Sequence, residues 1–354
     1  MKKKKVAIVS FFKSENYGAI LQSYALQSAI EKFGYQVHYL DYKPQRKLSN
    51  MRLIKNIIWQ LVRFFLGYKK RLLRTQEFIK HNIHVERFLK EENYDIYVSG
   101  SDQVWFPGYV NDFFLLNFIK HQRKISYASS FGTAQLDPLL KPYYFNSLST
   151  YTHISTREES GTKIVNTLGL KSTVVLDPTL LFQKEYWKLK SVNPRLSQKY
   201  ILCYIMSGDI DTANAVFKQA NLIAHKMQDN CKVLVIGDKE YRKFIPGYNL
   251  ICNAGPQEFI GYFENAEYIV TSSFHGTCFS IIFEKNYINI LRKNNPVNVR
   301  IEELNNKLGL SGIIFYSDSL EHLLDLPPID YTIVNQILSV YRNHSISFLK
   351  TALQ

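Results

Sequence analysis

The stretch from Tyr268 to Phe283 restricts the fold more than any other part of this sequence. It opens with a short apolar run at 268–270, continues through small hydroxyl residues, a histidine and a glycine, and closes with a second apolar run at 279–283. The first run is typical of a buried strand, and the second suits a helix packed on a sheet. Strand, polar turn and helix in this order place ligands at the carboxyl edge of an open α/β sheet.

His275 is predicted to lie in this turn, where an imidazole can gain or lose a proton near neutral pH. The start of the following helix offers free backbone N–H groups and a partial positive charge, which suit a phosphate or a carboxylate. Ser272, Ser273 and Gly276 are therefore candidate anion-binding residues. The structural alternative is that Ser272 or Ser273 only caps the helix and that His275 is an ordinary loop residue.

Strand and helix patterns alternate along the rest of the chain in two successive series. The first series has predicted strands at 6–12, 37–41, 94–98, 124–129 and 151–156, and a helix at 20–33 that Gly34 ends. The second series restarts at Tyr200, with strands at 200–206, 232–236, 268–270 and 287–291. Because 354 residues are too many for one ordinary core, we predict an α/β protein with two Rossmann-like domains facing across a cleft.

The predicted N-terminal domain covers residues 1–182, and the predicted C-terminal domain, with the His275 turn, covers residues 199–327. Residues 328–354 are predicted to form a terminal helix that packs back on the N-terminal domain. A polar turn of Asn16, Tyr17 and Gly18 precedes the first helix and can hold a sugar or a phosphate. Ser101 and Asp102 follow a predicted strand, so they also point to the carboxyl edge and the cleft.

Charge and cysteine content narrow the class of partner and the compartment. Lysine and arginine number 44 against 30 aspartates and glutamates, a balance of +14 that favours an anionic partner. The options are a phosphorylated metabolite, an acidic membrane surface or nucleic acid, and no nucleic-acid module supports the last. The four cysteines form no C-x-x-C pair, which indicates a reducing cytoplasm. No histidine cluster has metal-ligand spacing, so no metal is expected.

Residues 46–75 differ in character from their surroundings. Apolar residues alternate there with lysine and arginine, which predicts one or two basic amphipathic helices inserted in the N-terminal domain. Such a segment either docks on its own domain or contacts an anionic membrane surface. The second reading predicts a cytoplasmic protein held at the inner face of the plasma membrane.

Five segments together resemble the polysaccharide pyruvyl transferase family. They are residues 16–19 (NYGA), 99–105 (SGSDQVW), 155–160 (STREES), 175–179 (VLDPT) and 272–276 (SSFHG), which occur in the family's order. The resemblance implies a fold like that of B-type glycosyltransferases. It also implies transfer of pyruvate from phosphoenolpyruvate onto two hydroxyls of a sugar, as a cyclic ketal, with no cofactor.

The resemblance also assigns roles to residues. Arg157 matches an arginine expected to bind phosphoenolpyruvate, and His275 matches a histidine expected to act in acid–base chemistry. Ser273 stands where some members have an arginine, so another cation must help to bind the donor. The candidates, none of them in a motif, are Lys13, Lys239, Arg292 and Lys293.

The chemistry of ketal formation is consistent with these residues. An acid must protonate the methylene carbon of phosphoenolpyruvate, and a base must accept a proton from each sugar hydroxyl. His275 is the predicted acid, and Asp102 is a candidate base, with capping of the loop before Trp105 as the structural alternative for Asp102. Asn16, Tyr17, Gly18 and Ser101 are expected to face the acceptor, which is either free or lipid-linked. The rival function is a nucleotide-sugar glycosyltransferase with Glu284 as a ribose ligand.

Overall fold

The computed structural model describes residues 3–41, 69–206, 209–227, 231–237, 249–318, 320 and 326–354. Within these residues the strands are β1 (Lys5–Val9), β2 (Gln36–Asp41), β3 (Val85–Arg87), β4 (Ile96–Ser99), β5 (Arg123–Ser126), β6 (Ser155–Thr156), β7 (Thr173–Val174), β8 (Tyr200–Tyr204), β9 (Lys232–Ile236), β10 (Asn249–Ile251), β11 (Tyr268–Thr271), β12 (Asn286–Leu291) and β13 (Ile314–Tyr316). The α-helices are α1 (Tyr17–Glu31), α2 (Lys69–Asn82), α3 (Lys141–Leu148), α4 (Glu159–Thr167), α5 (Lys184–Lys188), α6 (Ile210–Lys226), α7 (Pro256–Asn265), α8 (Phe274–Ile282), α9 (Val299–Lys307) and α10 (Tyr331–Leu353).

The strands form two parallel sheets with the same order. The first runs β3-β2-β1-β4-β5, and the second runs β10-β9-β8-β11-β12-β13. Counted within each domain, the first sheet has the order 3-2-1-4-5 and the second continues the same order to a sixth strand, 3-2-1-4-5-6, as in Rossmann folds, where the chain changes direction beside the first strand. The predicted α/β fold with two Rossmann-like domains is confirmed. A short parallel pair, β6 and β7, continues the first sheet through isolated bridges from Ile125 to His153 and from Ser129 to Thr156.

The apolar core explains why the sheets are parallel and central. Residues 6–9 of β1 are apolar and fully buried, as expected for a strand covered on both faces. One apolar cluster fills the N-terminal sheet on the side of the C-terminal domain and continues without a break into that domain. A second cluster covers the opposite face of the N-terminal sheet. The two domains therefore share a core on one side of the first sheet.

Helix α1 lies where the two domains meet. Nearly all of its side chains are buried, a pattern expected of a helix enclosed on all sides. Asn16 caps it by accepting a hydrogen bond from the Gly18 N–H at 2.9 Å. The Tyr17 hydroxyl donates to the Ala254 carbonyl at 2.8 Å, and the Tyr17 ring stacks on Phe259 with centroids 4.6 Å apart. The start of α1 is thus fixed to both domains.

Several elements differ from the sequence prediction, and capping explains the main differences. Helix α8 begins at Phe274, so His275 is not in the predicted turn but in the first turn of the helix. Likewise α1 begins at Tyr17, three residues before the predicted start. Asn16 and Ser273 cap these helices with their side chains, and a cap extends a helix beyond its apolar periodicity. The edge strands β3, β10 and β13 were not predicted, because three residues are too few to show a period.

Two predicted segments flank the domains. Residues 46–68 of the basic stretch at 46–75 lie outside the described residues, and the remainder forms the start of α2. Helix α10 contacts the N-terminal domain, where the Ser345 hydroxyl accepts from the Leu176 N–H at 2.9 Å and Arg342 donates to the Leu180 carbonyl at 2.9 Å. The predicted domain limits stay a prediction. In the described part of the chain, no helix combines the length and the hydropathy needed to cross a membrane.

Candidate active site

A cavity of about 950 Å³ opens between the carboxyl edges of the two sheets. Its lining includes Asn16, Asp102, Tyr109, His275, Arg292 and Arg300. The first three follow β1 and β4 in the N-terminal domain, and the last three follow β11 and β12 in the C-terminal domain. In the first sheet β1 pairs with β4, and in the second sheet β8 pairs with β11. The strand order reverses at these two pairs, and the crevice beside such a point is the usual ligand site of these folds.

A buried ion cluster lies behind this cavity and is centred on Arg157. The guanidinium Nε donates to Glu158 Oε1 at 3.0 Å, and Nη1 donates to Asp177 Oδ2 at 3.1 Å. Asp102 Oδ1 lies 3.8 Å from Nη1. Burial alone would lower the pKa of Arg157, but the three neighbouring carboxylates outweigh burial and raise this pKa. Arginine therefore stays charged here, and Nη2 has no hydrogen-bond partner among the described residues.

Asp177 joins the two domains at this cluster, and sequence reasoning did not select it. It follows β7, and its Oδ1 accepts from the Thr179 N–H and hydroxyl at 2.9 and 2.7 Å. Its Oδ2 faces both Arg157 and, at 3.6 Å, Nε2 of His275. Burial would raise the pKa of the Asp177 carboxyl, but His275, Arg157 and these hydrogen bonds hold the pKa well below its usual range. The signal in the sequence was an aspartate between a strand and Pro178.

His275 is held from both domains. It is buried with 4% of its surface exposed, and Nε2 finds no hydrogen-bond partner within the described ranges. Its ring lies against the start of α1, where a Cβ added to Gly18 would approach Nδ1 to 2.0 Å. Position 18 must therefore be glycine for the histidine to occupy this place. Because buried polar atoms are nearly always paired, the unpaired Nε2 beside a cavity is the kind of atom that a ligand satisfies.

Asp102 is held by an unusual backbone. Its φ is +77°, in the left-handed region that aspartate tolerates better than most residues. Its Oδ1 accepts from the Gln103 N–H at 2.9 Å, and its backbone bridges to Ser129. The carboxylate lines the cavity and lies close to Arg157. It can therefore cap its own loop and accept a proton from a ligand.

The residues predicted to bind the donor divide into two groups. Ser272 and Ser273 line the cavity, whereas Gly276 and Arg157 lie behind its surface. Ser273 caps α8 by accepting from the Gly276 N–H at 3.3 Å, and the Ser272 hydroxyl accepts from the Met206 N–H at 3.1 Å. Both serines therefore have a structural role, and the positive end of α8 still faces the cavity.

Of the residues predicted to face the acceptor, the structure brings Asn16 to the cavity. The Tyr17 hydroxyl and ring are committed to the domain junction, and Gly18 makes room for His275. Ser101 is fully buried and donates to Asp177 Oδ2 at 3.2 Å. Tyr17, Gly18 and Ser101 thus support the site from behind, a role that depends on contacts with distant segments and not on local sequence.

Among the predicted cations, Arg292 lines the cavity. Lys13 pairs with Asp41 at 2.6 Å, and Lys293 pairs with Asp318 at 2.9 Å, both outside the cavity. Lys239 lies outside the described residues.

Sequence reasoning missed Arg300, which also lines the cavity and comes from α9. The Phe274 ring has Arg157 Cζ at 4.3 Å and Arg300 Cζ at 5.7 Å from its centroid, so it spaces two guanidinium groups. Burial and the charge of Arg157 lower the pKa of Arg300. An anion between them would relieve this repulsion. No motif marks Arg300, so the sequence held no signal for it.

Solved structures with the same fold come from several organisms. The UDP-GlcNAc 2-epimerase of Methanocaldococcus jannaschii, in complex with UDP-GlcNAc and UDP, aligns with a TM-score of 0.52 at 11% identity, over 96% of this chain and 99% of that one. The S. aureus MnaA–UDP co-structure gives 0.53 at 10% identity, over 98% and 91%. Arabidopsis thaliana UGT89C1 complexed with UDP-L-rhamnose gives 0.52 at 11% identity, over 99% of both chains. These matches confirm the predicted glycosyltransferase B-type-like fold.

Sequence comparison is more specific than the fold. No curated protein matches the chain. The family model described as "Polysaccharide pyruvyl transferase" matches residues 16–294. This span includes Asn16, Asp102, Arg157, Asp177 and His275, the residues that the structure gathers at the cavity and the ion cluster behind it. The chain therefore belongs to the polysaccharide pyruvyl transferase family.

Proposed function

We propose that this transferase moves pyruvate from phosphoenolpyruvate onto two hydroxyls of a sugar in a bacterial surface polysaccharide precursor, forming a ketal and releasing phosphate. One observation carries the proposal. Arg157 Nη2 and His275 Nε2 are both buried, both lack a partner among the described residues, and both belong to side chains that meet at Asp177 Oδ2. A donor with a carboxylate and a phosphate offers the oxygens that these groups lack.

The donor binds on the C-terminal side of the cavity in this proposal. Arg292 and Arg300 supply positive charge there, and the N-terminus of α8 supplies a partial positive charge. Arg300 takes the place of the arginine that some family members have at the Ser273 position. Guanidinium groups suit both oxyanions of phosphoenolpyruvate because their planar fork donates two parallel hydrogen bonds.

Proton balance sets the roles of His275 and Asp102. Protonated His275 gives its proton to the methylene carbon of phosphoenolpyruvate, and a sugar hydroxyl adds to the neighbouring carbon. Asp102 accepts the proton of that hydroxyl. The carbon–oxygen bond to phosphate then breaks, and the second hydroxyl closes the ketal and loses its proton. Of the two hydroxyl protons, one restores the imidazolium and the other leaves with phosphate. Groups of this kind contribute about 10²–10⁴-fold each to turnover.

Asp177 acts through its neighbours in this scheme. Its Oδ2 lies 3.6 Å from Nε2 of His275 and pairs with the Arg157 guanidinium, so it positions both side chains. The acceptor is either free or lipid-linked, and the protein works in the cytoplasm. In this proposal neither the proton transfers nor the closure of the ketal requires a metal or a cofactor.

Calorimetry with phosphoenolpyruvate tests the donor assignment. The parent protein should bind it, and its melting temperature should rise because the ligand favours the folded state. Arg300→Ala should weaken binding through loss of charge-assisted hydrogen bonds, at about 1.5–3 kcal/mol each. Lys293→Ala is the matched control, because Lys293 is near in sequence but pairs with Asp318 outside the cavity. Arg157→Ala is a poorer test of donor binding, because it would leave the buried carboxylates of Glu158 and Asp177 unpaired and destabilise the fold.

The reaction products separate this proposal from its rival. Phosphate release with a mass gain on a glycan acceptor supports pyruvyl transfer. Release of a nucleoside diphosphate from a sugar nucleotide, without binding of phosphoenolpyruvate, would replace it with glycosyl transfer. Glu284, the ribose ligand of that rival, pairs with Lys184 and accepts a hydrogen bond from Asn335 at 2.8 Å. It lines a different cavity from His275, which argues against the rival.

A further inference from the structure

We propose that Phe11, Tyr109 and Phe114 form the surface on which the acceptor sugar stacks, as a pyranose ring. We call these three residues the aromatic wall. This inference rests on the proposed function, since it names the acceptor's place and class in the same cavity. It differs from the sequence prediction, which expected Asn16, Tyr17, Gly18 and Ser101 to face the acceptor.

The three rings form one continuous patch on the N-terminal side of the cavity. Phe11 and Phe114 have centroids 4.6 Å apart at an angle of 54°, and Phe11 and Tyr109 are 5.6 Å apart with one ring edge facing the other. Phe11 and Phe114 pack on the apolar cluster behind the N-terminal sheet, which fixes them from the rear. Tyr109 is 43% exposed. The patch therefore combines rigid support with an open face.

A pyranose ring matches such a patch chemically. One face of many hexopyranoses carries mainly C–H groups, which bear partial positive charge, whereas the face of an aromatic ring is negative. Stacking also removes apolar surface from water, and the hydroxyls at the ring edge stay free to form hydrogen bonds. A phosphate or a carboxylate would gain nothing from the same surface. The aromatic wall therefore favours a sugar over the anionic donor.

Polar groups surround the aromatic wall where sugar hydroxyls would lie. Asn16 and Asn111 line the same cavity, and in each the side-chain oxygen already accepts from backbone N–H groups. This leaves the amide N–H bonds of each asparagine to donate to a hydroxyl. Asp102 lies on the same loop as Tyr109 and also lines the cavity, so a sugar on the wall would present hydroxyls near the proposed base.

The opposite wall sets the orientation. Arg292 and Arg300 lie on the C-terminal side of the cavity, and they attract the donor's anionic groups. Burial and the carboxylate of Asp102 raise the pKa of the Tyr109 hydroxyl, while the charges of Arg300 and Arg157 oppose this rise. Tyr109 therefore lies within electrostatic reach of both walls. A cavity of about 950 Å³ holds both substrates, since it is at the upper end of the range for ligand pockets.

Saturation-transfer NMR on the full-length protein tests the inference without needing turnover. The probes are methyl β-D-galactopyranoside, methyl β-D-glucopyranoside and methyl α-D-mannopyranoside, each with and without phosphoenolpyruvate. We expect at least one glycoside to receive saturation mainly at the ring C–H protons of one face. Tyr109→Ala and Phe114→Ala should abolish that signal, whereas Tyr109→Phe should keep it. Phe145→Ala is the matched control, because Phe145 is a 45% exposed phenylalanine outside the cavity.

Kinetics and donor binding separate the possible failures. With an acceptor that is turned over, Tyr109→Ala and Phe114→Ala should each raise its KM about tenfold through lost stacking and burial. Calorimetric affinity for phosphoenolpyruvate should stay within twofold of the parent. The aromatic wall is overturned if no glycoside contacts the parent, or if the alanine variants keep the contact and the KM. If the parent protein does not bind phosphoenolpyruvate, the proposed function is overturned instead.

Discussion

The turns that follow β4 and β11 occupy equivalent places in two sheets with the same strand order, yet they present different chemistry. After β11 the chain enters α8 almost at once, so His275 is held by a capped helix and is nearly fully buried. After β4 the chain runs through a long loop before β5, and that loop carries Asp102, Tyr109 and Phe114. Asp102 adopts a left-handed φ there instead of a helical one.

The difference indicates how one fold provides two kinds of surface. A strand that leads directly into a helix fixes one side chain and a partial positive charge, which suits an anion and a proton transfer. A loop between strands can present several side chains over a wide surface, which suits a larger neutral ligand. In the proposed function the C-terminal turn therefore serves the donor and the N-terminal loop serves the acceptor. The predictions below test this division, from the largest effect to the smallest.

Replacing the two proposed proton-transfer residues should have the largest effect. His275→Gln keeps a similar size but cannot titrate, and it should lower turnover by about 10²–10⁴-fold. Asp102→Asn should also lower turnover, because asparagine tolerates the same backbone but accepts no proton. Steady-state kinetics on the purified, folded variants measures the loss of turnover. His81→Gln, at an exposed position of α2, is the control. Folded variants that turn over within a few-fold of the parent would contradict these roles.

Asp177→Asn should lower the free energy of unfolding by about 3–5 kcal/mol, because it removes one partner of a buried ion pair. Chemical denaturation at pH 7 measures this change. Asp318→Asn breaks an exposed ion pair with Lys293 and should change the free energy of unfolding by about 0–1 kcal/mol. Equal effects at both positions would show that the buried cluster does not link the domains.

The effect of Asp177→Asn on stability is predicted to depend on pH. The pKa of Asp177 is lower in the folded protein than its ordinary value of 3.8, so its stabilisation is complete above that value. The stabilisation is lost as the pH falls toward the folded pKa. The stability difference between the parent and Asp177→Asn should therefore shrink below about pH 4. A difference that grows toward acid pH would contradict the lowered pKa.

Gly18→Ala should disturb the N-terminal support of His275. The new Cβ would approach Nδ1 to 2.0 Å, so the imidazole or the start of α1 must move. Overpacking of this kind costs about 1–3 kcal/mol, and turnover should fall further than stability alone explains. Gly312→Ala is the matched control, because a Cβ there meets nothing within 4 Å. Unchanged turnover in Gly18→Ala would mean that His275 does not depend on α1.

Membrane docking has the smallest expected effect per residue, and the structure limits how it can be tested. Arg71 donates to the Glu15 carbonyl at 2.7 Å and lies over Tyr17, so its replacement would disturb the domain junction. Arg74 pairs with Glu258 at 3.1 Å. Lys69 and Lys70 are exposed on α2, and replacing both with glutamine is the cleaner test.

If the basic stretch binds anionic lipid, each lysine contributes about 1 kcal/mol to the free energy of membrane binding. Sedimentation with vesicles of phosphatidylserine and phosphatidylcholine measures this loss, with neutral vesicles as the control. Binding should weaken with salt. Equal recovery on both kinds of vesicle would exclude docking, while the proposed reaction would still operate on a free acceptor.

Much of the fold was predictable because its signals are local. Apolar runs and helical periodicity indicated the central strands and the alternating series, and chain length indicated two domains. His275, Asp102 and Arg157 were selected because each follows a predicted strand or matches a family segment. The start of α8 was predicted five residues late, although Ser273 was recognised as an alternative cap. A cap acts through one hydrogen bond, which periodicity does not register.

Contacts between distant segments were beyond sequence reasoning. Asp177 and His275 lie close together only because β7 and β11 belong to domains that share a core. Arg300 reaches the cavity because α9 packs beside Phe274, and nothing near it in sequence marks that position. Tyr17 looked like a ligand-binding residue because it is polar at a helix start, but its hydroxyl is used by Ala254.

The sequence by itself determined the family, the α/β class and the identity of the acid–base candidates, because these depend on local pattern and residue type. The tertiary structure alone decided which of those residues reach the cavity and which support it from behind. Charges and unpaired atoms of Arg157, Asp177 and His275 acquire meaning only when burial removes water and leaves each group with the partners that packing provides.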